Sequence, residues 1–179
     1  MRLLVGSILT VLVLLLTVPA SAGRIYRCVF NAVAVTAQQD FFEITAATGK
    51  TVIIHYLWIT QSTEVGDAQE EGLNLIVKRG TSLTTSGSGG TTPTPVTQNP
   101  NDAAAGAVCE VNNTTKMAIG TGTITSEEPH NWNVRVPYVV IYTPETRPIV
   151  LPGERKTLEL GTTPADSITI SGWVGFEEI

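Results

Sequence analysis

Glu127-Glu128-Pro129-His130 is the densest run of proton-transferring and metal-binding side chains in the chain. Two carboxylates beside an imidazole could ligate a cation or pass a proton. Their spacing matches no zinc ligand set, in which Cys and His recur at characteristic separations. The run therefore reads as a solvated turn between strands. The other histidine, His55, sits among Ile53, Ile54, Tyr56 and Leu57, a setting for packing or for an interface contact rather than for a base. Asp67, Glu70 and Glu71 lack the alternating oxygen spacing of a calcium loop. Ser and Thr abound, but no Gly-x-Ser-x-Gly elbow is present, and neither Cys28 nor Cys109 lies in a nucleophile context. Gly87-Ser88-Gly89-Gly90 lacks the Lys-Ser/Thr of a phosphate loop. A carboxylate pair for glycoside hydrolysis is defined by its separation in space. The expectation is a non-enzymatic protein with no catalytic residue, cofactor or metal.

Composition narrows the partners. The formal net charge is −5, and basic residues come no denser than pairs such as Lys78-Arg79. Nucleic-acid binding needs clustered Lys and Arg, so it is not expected. Residues 1–22 have the form of a secretory leader. Arg2 precedes an apolar run from Leu3 to Val18, and Pro19-Ala20-Ser21-Ala22 places small residues before Gly23. The run is shorter than the roughly 20 residues that span a bilayer, so no stable membrane anchor is expected after cleavage. A start codon assigned too far upstream is the other reading of this segment. In an exported protein Cys28 and Cys109 could pair; the alternative is two buried thiols packing as small hydrophobes. Asn112 and Asn113 each begin an Asn-x-Thr sequon, meaningful only in a glycosylating host.

The elements that must position these residues are strands. Asp67 to Glu71 is the best helical candidate, and it is short and bracketed by Gly66 and Gly72. About ten strands are expected from β-rich runs bounded by turn signals. They are Ile25–Val35, Asp40–Ala46, Thr51–Thr60, Leu73–Arg79, Ala107–Asn112, Met117–Thr125, Trp132–Tyr142, Pro148–Leu151, Lys156–Leu160 and Ser167–Phe176. Leu73, Leu75 and Val77 share one face. So do Ile168, Ile170, Val174 and Phe176, with Trp173 opposite as an outward aromatic able to contact a ligand. Trp132, Val134, Val136, Tyr138, Val140 and Tyr142 form one stripe, and Pro137 puts that strand at an edge or a bulge. Many short strands without helical crossovers indicate one all-β domain over residues 23–179, an antiparallel β-sandwich of jelly-roll type.

Thr51–Thr60 is apolar on both faces. Val52, Ile54, Tyr56 and Trp58 alternate with Ile53, His55, Leu57 and Ile59, so both sides call for cover. One set meets the core. The second, taken as Ile53, His55, Leu57 and Ile59, meets either a loop or another subunit, because large apolar patches mark interfaces.

Residues 81–106 break the strand pattern. This segment has 26 residues, no aromatic, and Asp102 as its single charge. Structureless loops beyond about 12–15 residues are uncommon in compact domains. The segment reads as an arm that reaches beyond the domain, whose deletion from Thr84 to Thr97 would leave the sandwich folded.

That loop and its flanks carry a resemblance. Ala34 to Ala47, Lys78 to Val108, Glu110 to Thr115 and Arg147 to Glu178 are similar to a family of small all-β proteins encoded among the structural genes of tailed bacteriophages and prophages. The Ser/Gly/Thr/Pro run leading into Asn99-Pro100-Asn101-Asp102-Ala103-Ala104-Ala105-Gly106 is its most distinctive part. The resemblance implies a virion component, a decoration or accessory protein of head or tail. It would assemble as a homo-oligomer such as a trimer and dock on major capsid or other virion proteins. It implies no catalytic residues. The leader is additional to the family pattern, which begins near Arg24. If the leader is genuine, the protein is secreted or periplasmic, and the alternative is an exported β-sandwich module that binds glycan or a cell surface.

Overall fold

A computed structural model describes residues 23–63 and 72–179. The leader and the acidic run Asp67 to Glu71 lie outside the described residues. Among the described residues there are eleven strands: β1 (Arg24–Val35), β2 (Gln39–Thr45), β3 (Val52–Gln61), β4 (Gly72–Gly80), β5 (Val96–Thr97), β6 (Val108–Asn113), β7 (Ile124–Asn133), β8 (Tyr138–Ile141), β9 (Ile149–Val150), β10 (Arg155–Leu160) and β11 (Ile168–Glu178). They form two antiparallel sheets. The front sheet runs β5-β1-β11-β3-β8, with β9 on the end of β3; the back sheet runs β6-β2-β10-β4-β7. The fold is a β-sandwich, and the chain changes sheet at nearly every connection.

The core lies where the inner faces meet. Leu73, Leu75 and Val77 point in from β4, and Ile168, Ile170, Val174 and Phe176 from β11, all buried. Phe30 of β1 packs against Phe41 and Phe42 of β2, with ring centroids 6.4 and 5.1 Å away. Two neighbouring Phe residues can both face inward because the β2–β10 register slips between Leu158 and Glu159. The extra residue of a bulge reverses the alternation.

Three expected elements come out differently. Met117–Thr125 is no strand apart from its last two residues; Ala118 instead bridges Thr85. The expected turn Glu127–His130 lies inside β7, which pairs with β4 along its length. This strand is an edge whose side chains are mostly exposed, so it lacks the apolar alternation that marks half-buried strands. Its free edge also tolerates Pro129. The expected strand Trp132–Tyr142 is broken. β7 ends at Asn133, Val136 N–H donates to Asn133 O at 3.1 Å, and Trp132 Nε1 donates to Val136 O at 2.7 Å. The chain turns this corner from the back sheet to the front, and the stripe of alternate residues spans two sheets.

The opposite side is closed covalently. Cys28 of β1 and Cys109 of β6 form a disulfide with Cα atoms 6.3 Å apart. Closing a loop of this length stabilises by about 4–5 kcal/mol in the chain-entropy model.

Residues 81–106 are a strap rather than an outreaching arm. From the end of β4 the strap crosses the outer face of the back sheet. Thr84 O accepts from Arg155 of β10, and Gly87 N–H donates to Glu43 of β2. Thr91 exchanges two backbone hydrogen bonds with Val111 of β6. The strap then rounds the sandwich edge, and Val96 and Thr97 pair with Arg27 and Tyr26 on the front sheet. Tyr26 Oη donates to Ala103 O, and the Glu178 carboxylate accepts the Gly106 and Ala107 N–H groups. Composition concealed this, because the anchors are backbone amides and hydroxyls, not apolar side chains.

Candidate functional site

The outer face of the front sheet carries the most unusual surface. It depends on one irregularity. In the β3–β11 pairing, Gly175 faces Tyr56 while Phe176 faces Ile54, so β3 carries one residue too many at His55. Before the bulge, Val52 and Ile54 point inward; after it, Leu57 and Ile59 do, and all four are buried. This corrects the expected grouping of Ile53, His55, Leu57 and Ile59. Leu57 and Ile59 belong to the core. Ile53 and His55 point outward and are half-buried, His55 Nε2 lying 3.1 Å from Glu177 Oε2. The double apolar pattern of β3 is one core stripe and one surface stripe that exchange parity.

The bulge lines up two rungs across four strands. The first is Val29, Trp173, Trp58 and Val139 of β1, β11, β3 and β8; the second is Arg27, Gly175, Tyr56 and Ile141. Side chains opposite one another in a sheet share a face. Trp58 is 36% exposed, Val139 40%, Val29 43% and Ile141 78%. Gly175 is required at its rung: a Cβ there would lie 1.8 Å from the Tyr56 ring, which occupies that space.

Trp173 points outward and is half-buried: its neighbours cover part of it, and it also lines a shallow groove. Trp58 stacks on it at 5.9 Å and 18°, Tyr56 meets it edge-on at 4.5 Å, and the Arg27 guanidinium lies 5.3 Å from its ring centre. Arg27 Nε donates to Tyr56 Oη at 3.3 Å, which fixes the stack. These contacts make the Trp173 ring a cross-strand packing partner. Beside the pair lies this shallow groove of about 260 Å³ between Val29, Asn31, Trp58, Thr60 and Ser171. Ser171 and Asn31 are engaged with each other. Ser171 Oγ donates to Asn31 Oδ1 and accepts Ala32 N–H, each at 2.9 Å. Ala32 sits at the β1 bulge with φ of 51°.

The acidic run on β7 forms structural pairs. Glu127 meets Arg79 of β4 at 3.2 Å and forms an ion pair with Lys156 of β10. Glu128 accepts from Tyr142 Oη at 2.9 Å and lies 3.4 Å from His130 Nε2. Burial and this carboxylate raise the Tyr142 hydroxyl above its ordinary range. Among the described residues no cluster of three or more His, Cys, Asp or Glu side chains could hold a metal ion. Asn112 and Asn113 are buried beneath the strap, so neither sequon presents its amide.

No protein-family model matches the chain, and no curated protein or solved structure matches it.

Proposed function

We propose that the chain is a non-enzymatic structural protein of a virus particle, a decoration or accessory component of head or tail. It assembles as a homo-oligomer through the outer face of the front sheet. The observation that carries the docking part is the pair of in-register rungs, which puts Val29, Trp58, Val139 and Ile141 on one open surface. Contiguous apolar surface of this kind marks contact sites. The virion setting rests on the resemblance of the strap and its flanks to phage structural proteins. The work of such a protein is burial of sheet surface between subunits, without bond chemistry.

Light scattering of the purified protein tests the docking. A defined oligomer that falls to monomer on Ile141→Asp supports it, and a wild-type monomer at all concentrations refutes self-assembly. Mass spectrometry of purified particles tests the setting. Its consistent absence from particles would overturn the virion reading while leaving the docking face standing.

A further inference from the structure

The strap is held to the back sheet by a bridge with one proton too few. Ser86 Oγ lies 2.5 Å from Glu43 Oε1 and 2.5 Å from Glu110 Oε2. A serine hydroxyl carries a single proton and donates to one acceptor. The second oxygen–oxygen contact at this length needs another proton, residing on a carboxyl that donates to Ser86. Two carboxylates that share a site cannot both ionise cheaply, which favours the protonated form of the buried Glu43.

The three groups come from three elements: Glu43 from β2, Glu110 from β6 and Ser86 from the strap. Glu43 is fully buried, and its Oε2 accepts Gly87 N–H at 2.9 Å. Arg155 of β10 faces Glu43 at 3.3 Å and also donates to Thr84 O at 2.9 Å. Asp40 of β2 accepts Met117 N–H at 2.7 Å. Nearby, Glu159 pairs with Lys78 at 2.6 Å and with Lys116 at 3.1 Å. The single guanidinium at the bridge cannot neutralise Glu43 and Glu110 together. Burial pushes the Glu43 carboxyl up, Glu110 adds to this, and the Ser86 and Gly87 bonds and Arg155 oppose it.

We propose that Glu43, Ser86 and Glu110 form an acid-closed latch. With the shared proton present, residues 84–91 are pinned across the back sheet. Its loss sets two carboxylates against each other across Ser86, and this part of the strap lifts. Opening bares the β6 backbone groups that now pair with Thr91, an edge able to accept another strand. The latch stands on this geometry alone and is independent of the assembly reading.

Amide hydrogen exchange of the full chain, read by mass spectrometry and corrected for intrinsic rates, tests it. In the wild type, protection over residues 84–91 should fall by about tenfold or more between about pH 5 and pH 8.5, while β4 and β11 change little. Glu110→Gln gives Ser86 a permanent N–H donor and removes one charge, so protection should persist at the higher pH. A flat wild-type profile, or the same fall in Glu110→Gln, overturns the latch. If that variant does not fold, carbon-detected NMR titration of the wild type decides. The Glu43 carboxyl should titrate above the ordinary glutamate range, and titration of Glu43 at the ordinary value of about 4.3 overturns the proposal.

Discussion

The two outer faces of this sandwich depart from the usual pattern in opposite ways. An outer sheet face is ordinarily polar and wet. The front face is apolar and open, with Trp58, Val139 and Ile141 in register. The back face is polar and covered: Asp40, Glu43, Thr157 and Glu159 are all buried there. Burying charge is unfavourable unless each group finds a partner. Glu159 pairs with Lys78 and Lys116, while the strap and the segment after β6 supply partners for Glu43 and Asp40 as backbone N–H groups and a hydroxyl. That explains their composition. A Cβ on Gly87 would lie 2.7 Å from Thr115 O, and one on Gly90 would lie 2.1 Å from Val111 O. Small residues let the backbone come close enough to pair. Among the described residues the open face has no such covering segment, which points its contacts outward.

The sharpest way to break this contrast is to remove the cover. Deleting 84–97 strips Glu43 and Arg155 of their strap partners and removes β5. Uncompensated buried charge alone costs about 3–5 kcal/mol, so a thermal melt should show a lost or strongly lowered cooperative transition. A deletion protein that melts like the wild type would restore the outreaching-arm reading. Glu43→Ala is the next step down. It leaves Gly87 N–H without its acceptor and Arg155 without its ion-pair partner, and should destabilise by about 2–4 kcal/mol in urea unfolding.

Asp40 gives a pH-dependent test of the same face. Burial foremost raises its carboxyl to about 7, opposed by the Met117 N–H bond and reinforced by Glu159 and Glu43. The folded state thus holds this proton more tightly than the unfolded chain. The resulting stability is fully present below about pH 4 and is lost as pH rises through about 7. Asp40→Asn keeps an acceptor for Met117 without the charge. It should raise stability above pH 7 by about 1–3 kcal/mol and flatten that part of the profile. A variant no more stable than wild type at about pH 8 would show that Asp40 is not buried as described.

Much of the architecture was legible in the sequence. Strict alternation in β4 and β11 reported the core face of each, because one-sided burial writes a period of two. The sandwich class followed from many short strands. Parity was lost wherever a bulge intervened, since an extra residue at His55 changes side-chain direction without changing composition. β7 was missed because an exposed edge strand needs no alternation, and Glu127 to His130 look like a turn when their partners Arg79, Lys156 and Tyr142 are remote in sequence. The latch was equally hidden: Glu43, Ser86 and Glu110 are ordinary residues until the strap folds over. For Trp173, only the register shows that Trp58 and Arg27 pack against it.

The smallest expected effect on stability falls on the open face, and that smallness is the discriminating result. Trp173 is wedged among Trp58, Tyr56 and Arg27, so Trp173→Ala should cost about 2–3 kcal/mol through lost packing. Ile141 is exposed on a short edge strand, and Ile141→Asp should move the urea midpoint by less than about 0.5 kcal/mol equivalent. If the face is a contact surface, the same substitution places a carboxylate in an apolar interface and should shift the assembly equilibrium by at least about tenfold, read by sedimentation. Stability and assembly would then separate on this face and stay coupled on the other, where every side chain that matters is buried within the protomer. A large loss of folding stability in Ile141→Asp would instead mean that the front face is a structural surface of the single chain, and the contrast between the two faces would fail.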